Sequence, residues 1–125
     1  MTTETQETRK ILMVEDNPDM QRLFTIMLKR YIGFKLDIEV HSAYDFEPPQ
    51  GIDVYLLDHD NDFGISGSAW IKKHSLEEVE PYKRILMSGN HHSWLDSGIA
   101  GAVYLDKPFS QSKLYDALDH ILVTK

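Results

Sequence analysis

Four short apolar runs in this sequence each lead into polar residues that could do chemistry. The first run leads into Glu15 and Asp16, and the later runs lead into Asp58, Ser88 and Lys107. If the runs are parallel strands, these residues meet at one edge of the sheet, where open α/β folds bind their ligands. Three carboxylates, a hydroxyl and an ammonium at one edge would form a site for a divalent cation and a phosphoryl group.

The acidic residues could hold a metal and provide a nucleophile. Glu15 and Asp16 are adjacent negative charges, which are costly unless water or a cation relieves them. A solvated turn would account for the pair, but carboxylate oxygens are also the ligands that Mg²⁺ prefers. Asp58 could be a helix cap or a turn residue, yet it ends a buried run and should face the same crevice. Because a carboxylate beside Mg²⁺ can attack a phosphoryl group, we predict Asp58 as the nucleophile.

Ser88 and Lys107 complete the predicted site. Ser88 could simply end a strand, but its hydroxyl can donate to a phosphoryl oxygen if its strand lies beside that of Asp58. Gly89 leaves room for the incoming group. Lys107 could be an ordinary solvated lysine. Its place after an apolar run and before Pro108 favours a fixed counter-charge to carboxylate and phosphate.

Alternating strands and helices would bring these residues to one edge. Apolar runs predict strands near 11–14, 36–41, 54–57, 85–87 and 102–105. Helical periodicity predicts helices over about 18–33, 68–78 and 111–123. Pro48 and Pro49 make the helix after the second strand short or irregular, and Gly89, Gly98 and Gly101 leave one to two turns for the helix after the fourth strand. The alternation predicts an α/β fold, a doubly wound parallel sheet with helices on both faces.

Length and composition limit the class of protein. The 125 residues fit one domain, and an apolar content of 42% supports a compact core. The absence of cysteine excludes disulfides, zinc-thiolate sites and thiol catalysis, and agrees with the cytoplasm. No apolar run reaches the ~20 residues of a membrane helix, and the net charge of −7 opposes direct nucleic-acid binding. Polar residues 1–8 are expected to form a flexible tail before a domain over 9–125.

The segments around the predicted site resemble the receiver domains of two-component response regulators, over about residues 10–124. The matching segments are Val14-Glu15-Asp16-Asn17, Leu56-Leu57-Asp58, Ser66-Gly67, Met87-Ser88-Gly89 and Asp106-Lys107-Pro108-Phe109. The resemblance implies a flavodoxin-like sheet of five parallel strands in the order 2-1-3-4-5, with shortened second and fourth helices.

The resemblance also implies how the acidic residues act. Asp58 would accept a phosphoryl group from a sensor histidine kinase or a phosphotransfer protein. Glu15, Asp16 and Asp58 would hold Mg²⁺ together with the backbone carbonyl of Asp60. Such a protein would not be an enzyme, except that it assists its own phosphorylation and dephosphorylation.

The remaining roles implied by the resemblance concern the phosphoryl group and the signal. Ser88 and Lys107 would bind the phosphoryl group, and Tyr104 is at the position of the family's switch aromatic. A cis peptide bond is expected between Lys107 and Pro108. The protein would be a single-domain response regulator that signals by phosphorylation-controlled binding to an unidentified downstream protein. It could form a homodimer through the face from the fourth helix to the last helix, without membrane or nucleic-acid partners.

Departures from the family pattern leave a second interpretation open. The loop after Asp58 is one residue longer than the common receiver pattern and lacks its frequent proline. Two helices are expected to be short. These features motivate the alternative of a phosphate-independent pseudo-receiver that serves as an interaction or dimerisation module, whereas the retained acidic, hydroxyl and ammonium positions argue against it.

Other metal sites fit the sequence less well. Asp58, Asp60 and Asp62 imitate the alternating ligands of a calcium loop, but Phe63 and Ala69 occupy the positions of the required glycine and glutamate. An EF-hand is therefore disfavoured.

Three histidines and one tryptophan keep further alternatives open. His59, His91 and His92 could help to bind zinc, although adjacent histidines do not easily share one face. Trp94 could pack in the core or anchor a partner. A flavodoxin-like enzyme is disfavoured because the first strand leads into acidic residues and not into a glycine-rich phosphate loop.

Overall fold

The computed structural model describes residues 7–59, 64–74, 83–89 and 93–123. These residues form five strands and four helices. In chain order they are β1 (Thr8–Val14), α1 (Pro18–Lys29), β2 (Lys35–His41), β3 (Val54–Asp58), α2 (Gly67–Lys73), β4 (Arg84–Ser88), α3 (Ser93–Ser97), β5 (Val103–Asp106) and α4 (Gln111–Leu122). β1 therefore begins at Thr8, the last residue of the predicted tail.

The strands form one parallel sheet in the order β2-β1-β3-β4-β5. β2 is an edge strand and pairs with β1 along its whole length. All residues of β3 and β4 are buried, because helices and loops cover both faces of the central strands. The predicted doubly wound α/β fold and its strand order are confirmed.

Two separate cores lie on the two faces of the sheet, because successive strand residues point to opposite faces. The first core packs α1 and α4 against the sheet and includes Ile11, Met13, Phe24, Leu56 and Leu114. The second core packs α2 and α3 against the other face and includes Leu12, Val14, Leu57, Trp70 and Trp94. Each buried strand thus contributes alternate residues to each core.

The helices α1 and α4 are held to each other by two tyrosine hydroxyls. Tyr31 donates to a carboxylate oxygen of Asp119 at 2.6 Å, and Tyr115 donates to the Met27 carbonyl at 2.6 Å. Asn17 caps α1 ahead of Pro18, as the sequence predicts, since its side chain accepts from two backbone N–H groups of the first turn.

The short or irregular helix predicted after β2 is absent, since β2 is followed by irregular backbone up to β3. Residues 42–53 contain bends and irregular backbone but no helix, in agreement with the prolines in that segment. Tyr44, Phe46 and Ile52 of this segment pack against the second core. The Phe46 ring stacks on His41 at 3.5 Å between centroids, and the Phe46 carbonyl accepts from the Trp70 indole at 2.9 Å. Aromatic packing therefore covers a face that a helix was expected to cover.

The helix between β4 and β5 is short, as predicted. α3 has five residues, and Trp94 within it is buried with 2% of its surface exposed. Its indole donates to the Met87 carbonyl at 2.9 Å. Trp94 is therefore a core residue and not a partner anchor.

Among the described residues, no helix is both long and apolar enough to cross a membrane.

Candidate functional site

The carboxyl ends of the strands bring the predicted residues to one edge of the sheet. Val14 pairs with Leu57 across β1 and β3, so Glu15 and Asp58 follow at the same level. Ser88 pairs with Asp106 across β4 and β5, so Lys107 follows directly beside Ser88. The parallel register therefore places these residues as the sequence predicts.

The three carboxylates of the site form one cluster. Oxygens of Glu15, Asp16 and Asp58 all lie within 4.8 Å of one another. Glu15 is fully buried, Asp58 is 3% exposed and Asp16 is half-buried. One Glu15 oxygen accepts the backbone N–H of Asn17 at 3.1 Å. The Gln21 amide donates to the Glu15 carbonyl at 2.6 Å, which fixes the turn that presents the first two acids.

Lys107 joins two of these carboxylates. Its Nζ lies 2.9 Å from Oε1 of Glu15 and 2.9 Å from Oδ2 of Asp58. The Lys107 backbone N–H donates to the Ser88 carbonyl at 2.9 Å, and the peptide bond to Pro108 is cis. The ammonium is therefore held as a counter-charge inside the cluster.

The other carboxylate oxygen of Asp58, Oδ1, is also buried. Oδ1 has no hydrogen-bond partner among the residues that the structure describes. Burial raises the pKa of Asp58 to about 7, and the Glu15 charge adds to this effect, whereas Lys107 opposes it. For Lys107, burial lowers the pKa, but the hydrogen bonds and charges of Glu15 and Asp58 outweigh burial, so the net pKa is raised. The site thus contains more negative charge than one ammonium balances.

An open cleft of about 360 Å³ leads to the cluster, and its lining residues are Glu15, Asp16, Asn17, Met20, Asp58, Gly89, Lys107 and Pro108. Ser88 is buried at the end of β4, and Gly89, the residue after it, lines the cleft. Gly89 has no side chain that could fill the cleft at this point.

The backbone behind Asp58 is held by side chains that the sequence analysis did not assign to the site. The Tyr44 hydroxyl donates to the Asp58 carbonyl. The Met87 carbonyl accepts both the His59 N–H at 3.1 Å and the Trp94 indole. Burial raises the pKa of Tyr44 well above its ordinary value, and the charges of Asp58, Glu15 and Asp16 add to this. The phenol therefore stays protonated and remains a donor.

The remaining predicted residues are not part of the carboxylate cluster among the residues that the structure describes. Tyr104 is 44% exposed, and its hydroxyl donates to the Ile99 carbonyl at 3.1 Å. Asp60 lies outside the described residues, as do His91 and His92. His59 is hydrogen-bonded through Nε2 to the Ser68 hydroxyl at 3.0 Å. The carboxylate cluster and Lys107 are thus the part of the predicted site that the structure brings together.

Solved structures of low sequence identity share this architecture. The crystal structure of response regulator protein TrrA from Thermotoga maritima in complex with Mg²⁺-BeF is 24% identical, with a TM-score of 0.72 over 91% of this chain and 99% of that chain. The non-phosphorylated HemR receiver domain from Leptospira biflexa is 18% identical, with a TM-score of 0.71 over 94% and 97%. Chemotaxis protein CheY4 from Vibrio cholerae is 17% identical, with a TM-score of 0.69 over 92% and 99%. This chain has the response regulator receiver fold.

These structural matches establish the receiver fold. No protein-family model and no curated protein matches the sequence. The matches cover more than nine tenths of this chain and of each matched chain. They do so although residues 42–53 of this chain form no helix. Within this receiver fold, the acidic cluster occupies the carboxyl edge of the sheet, where doubly wound folds bind their ligands.

Proposed function

We propose that this protein is a response regulator that accepts a phosphoryl group on Asp58 and signals by phosphorylation-controlled binding to another protein. One observation carries the proposal: Asp58 lines an open cleft with its Oδ1 buried and, among the described residues, without a hydrogen-bond donor, while Lys107 holds Oδ2. A carboxylate that is fixed on one side and unpartnered on the other is suited to nucleophilic attack.

The donor set of the cleft fits a magnesium ion. Glu15, Asp16 and Asp58 offer oxygens within 4.8 Å of one another, and hard cations prefer such oxygens. The excess negative charge of the site supports the same assignment. When bound, Mg²⁺ would draw negative charge from the carboxylate and the phosphoryl oxygens. The backbone carbonyl of Asp60 stays a predicted ligand.

The proposed reaction transfers one phosphoryl group. An Asp58 carboxylate oxygen forms a bond to phosphorus while the bond from phosphorus to the donor breaks. With a phosphohistidine donor, the P–N bond breaks and the imidazole nitrogen leaves with its electron pair and takes up a proton. With acetyl phosphate, the P–O bond breaks and acetate leaves. Lys107 stays protonated and faces the new negative charge, and Gly89 leaves space for the group at the mouth of the cleft.

Phosphorylation would change the charges that hold the site together. The group adds about −1.5 to −2 charges at neutral pH, which favours a move of Lys107 and the Ser88 hydroxyl toward the phosphoryl oxygens. Ser88 pairs with Asp106, and Tyr104, two residues earlier on β5, pairs with Leu86. A shift at the end of β4 would therefore reach the exposed Tyr104 ring, where a downstream protein can read it.

The proposed partners are a sensor histidine kinase or phosphotransfer protein as donor and an unidentified protein as target. A homodimer through the face formed by α3, β5 and α4 is a further proposal. The chain would not be an enzyme beyond assisting its own phosphorylation and dephosphorylation. The lack of cysteine supports the cytoplasm as its compartment.

Intact-mass spectrometry tests the chemistry directly. The protein is incubated with acetyl phosphate and Mg²⁺, next to Asp58→Asn and a sample with EDTA. We expect an adduct of one phosphoryl group in the wild type alone. An equal adduct in Asp58→Asn, or none in any sample together with no binding of beryllofluoride, would contradict the proposal. A partner that binds wild type and Asp58→Asn equally, with and without acetyl phosphate, would favour the phosphate-independent module.

A further inference from the structure

We propose that Tyr44 is a positioning residue for phosphoryl transfer, because its hydroxyl holds the backbone of Asp58 in place. The proposal rests on the proposed function and extends it to a segment outside the strand ends. Tyr44 belongs to residues 42–53, which form no helix. The irregular backbone lets an aromatic side chain reach inward as far as the phosphoacceptor.

The hydrogen bond from Tyr44 reaches Asp58 where the pairing of β3 with β1 ends, although β3 is still paired with β4 there. β1 and β3 are paired up to Val14 and Leu57, and the Tyr44 hydroxyl donates to the carbonyl of the next residue, Asp58. The bond is buried and Tyr44 is 4% exposed, so water does not readily replace the donor. A buried carbonyl that loses its donor carries the full cost of desolvation, and the chain end at Asp58 would shift to find another partner.

The surroundings keep the Tyr44 hydroxyl at one place. Its ring packs against Trp70 at 5.2 Å between centroids. A Cβ built on Gly67 would lie 2.9 Å from the Tyr44 hydroxyl oxygen and 2.7 Å from the Trp94 ring. The first residue of α2 thus closes the space behind the hydroxyl, and only glycine fits there without displacing these side chains. Tyr44 is therefore confined by Trp70 and Gly67 as well as by its bond to Asp58.

Two contacts then fix Asp58 from opposite ends. Lys107 holds the carboxylate through Oδ2 at 2.9 Å, and Tyr44 holds the main-chain carbonyl. The position of Oδ1 relative to an incoming phosphorus atom depends on both. A displacement of about 1 Å at a reacting group can slow a reaction by about 100-fold. Because Lys107 and the pairing of β3 with β4 still hold Asp58, we expect loss of the Tyr44 hydroxyl to slow phosphorylation by about tenfold.

The test compares two tyrosine-to-phenylalanine variants in the full chain. Tyr44→Phe removes the donor to Asp58, and Tyr115→Phe removes an equivalent hydroxyl that donates to the Met27 carbonyl between α1 and α4. Each variant is titrated with Mg²⁺ by calorimetry, and its rate constant with acetyl phosphate is measured at saturating Mg²⁺. We expect Tyr44→Phe to react about tenfold more slowly, with Mg²⁺ affinity within about twofold of wild type, and Tyr115→Phe to react at the wild-type rate.

A second variant covers the case in which Tyr44→Phe does not fold. Gly67→Ala pushes a methyl group toward the Tyr44 hydroxyl and should also lower the rate at saturating Mg²⁺. The inference is overturned if a folded Tyr44→Phe keeps the wild-type rate, if Tyr115→Phe slows the reaction equally, or if only Mg²⁺ affinity changes. When Tyr44→Phe is unfolded, a wild-type rate in Gly67→Ala overturns it. If wild type itself gives no Asp58 adduct, the proposed function fails and the inference falls with it.

Discussion

Replacement of Asp58 by asparagine should stabilise the protein at alkaline pH in the absence of metal. Asp58 is 3% exposed, and its pKa is raised from 3.8 to about 7, first by burial and then by Glu15. The folded protein therefore keeps a proton on Asp58 at pH values where the unfolded chain has released it. Stability conferred by this proton is present at acidic pH and is lost as the pH rises from about 4 to above 7.

The size of this effect follows from the two pKa values. Each pKa unit corresponds to about 1.4 kcal/mol, so the rise from 3.8 to about 7 corresponds to at most about 4 kcal/mol of lost stability at pH 8. Asparagine has nearly the same shape and no charge. Asp58→Asn should therefore be up to about 4 kcal/mol more stable than wild type at pH 8, and the difference should shrink toward pH 4.

Urea unfolding in EDTA at several pH values between 4 and 8 measures this difference. Asp37→Asn is the matched control, because Asp37 is exposed on β2 and surface substitutions usually change stability by at most about 0.5 kcal/mol. The reasoning is refuted if Asp58→Asn is less stable than wild type at pH 8. It is also refuted if the difference between the two proteins does not depend on pH.

Three further perturbations test other parts of the site. Mg²⁺ at about 100 times its dissociation constant should stabilise wild type by about 2.7 kcal/mol in thermal or urea unfolding, and Asp58→Asn should lose most of this gain; equal gains would contradict the assigned ligands. Lys107→Met leaves the buried carboxylates of Glu15 and Asp58 unbalanced and should cost about 3–5 kcal/mol at pH 8, whereas a cost near that of a surface ion pair would show that Lys107 does not hold the cluster. Trp94→Phe removes the indole donor to the Met87 carbonyl and should cost about 1–3 kcal/mol, as measured by urea unfolding; an unchanged midpoint would argue against that bond.

The part of the site that lies on strand ends could be predicted from the sequence. The residues before Glu15 and Asp58 are continuous apolar runs, and such runs indicate strands buried on both faces. Parallel strands then bring their carboxyl ends together whatever the loops do. The link from Lys107 to the two acids follows from the same geometry, because Lys107 continues β5 beside Ser88.

Contacts made by irregular segments could not be predicted in this way. Tyr44 lies in a stretch with no repeating pattern of apolar residues, so nothing local indicates where its side chain points. Trp94 lies among histidines, serines and glycines in the sequence. Its burial depends on the absence of a side chain at Gly67 of α2. Both side chains are placed by tertiary packing, which overrides local composition.

The helices of the two cores differ in length, and we expect them to differ in local stability. α1 and α4 have 12 residues each, whereas α2 and α3 have seven and five. Short helices depend more on packing than on their own hydrogen bonds, so we expect amide protons of α2 and α3 to exchange with solvent through local opening. Those of α1 and α4 should exchange only when the whole molecule opens. The face of the sheet covered by α2 and α3 is thus the part of the molecule that can loosen while the rest keeps its shape.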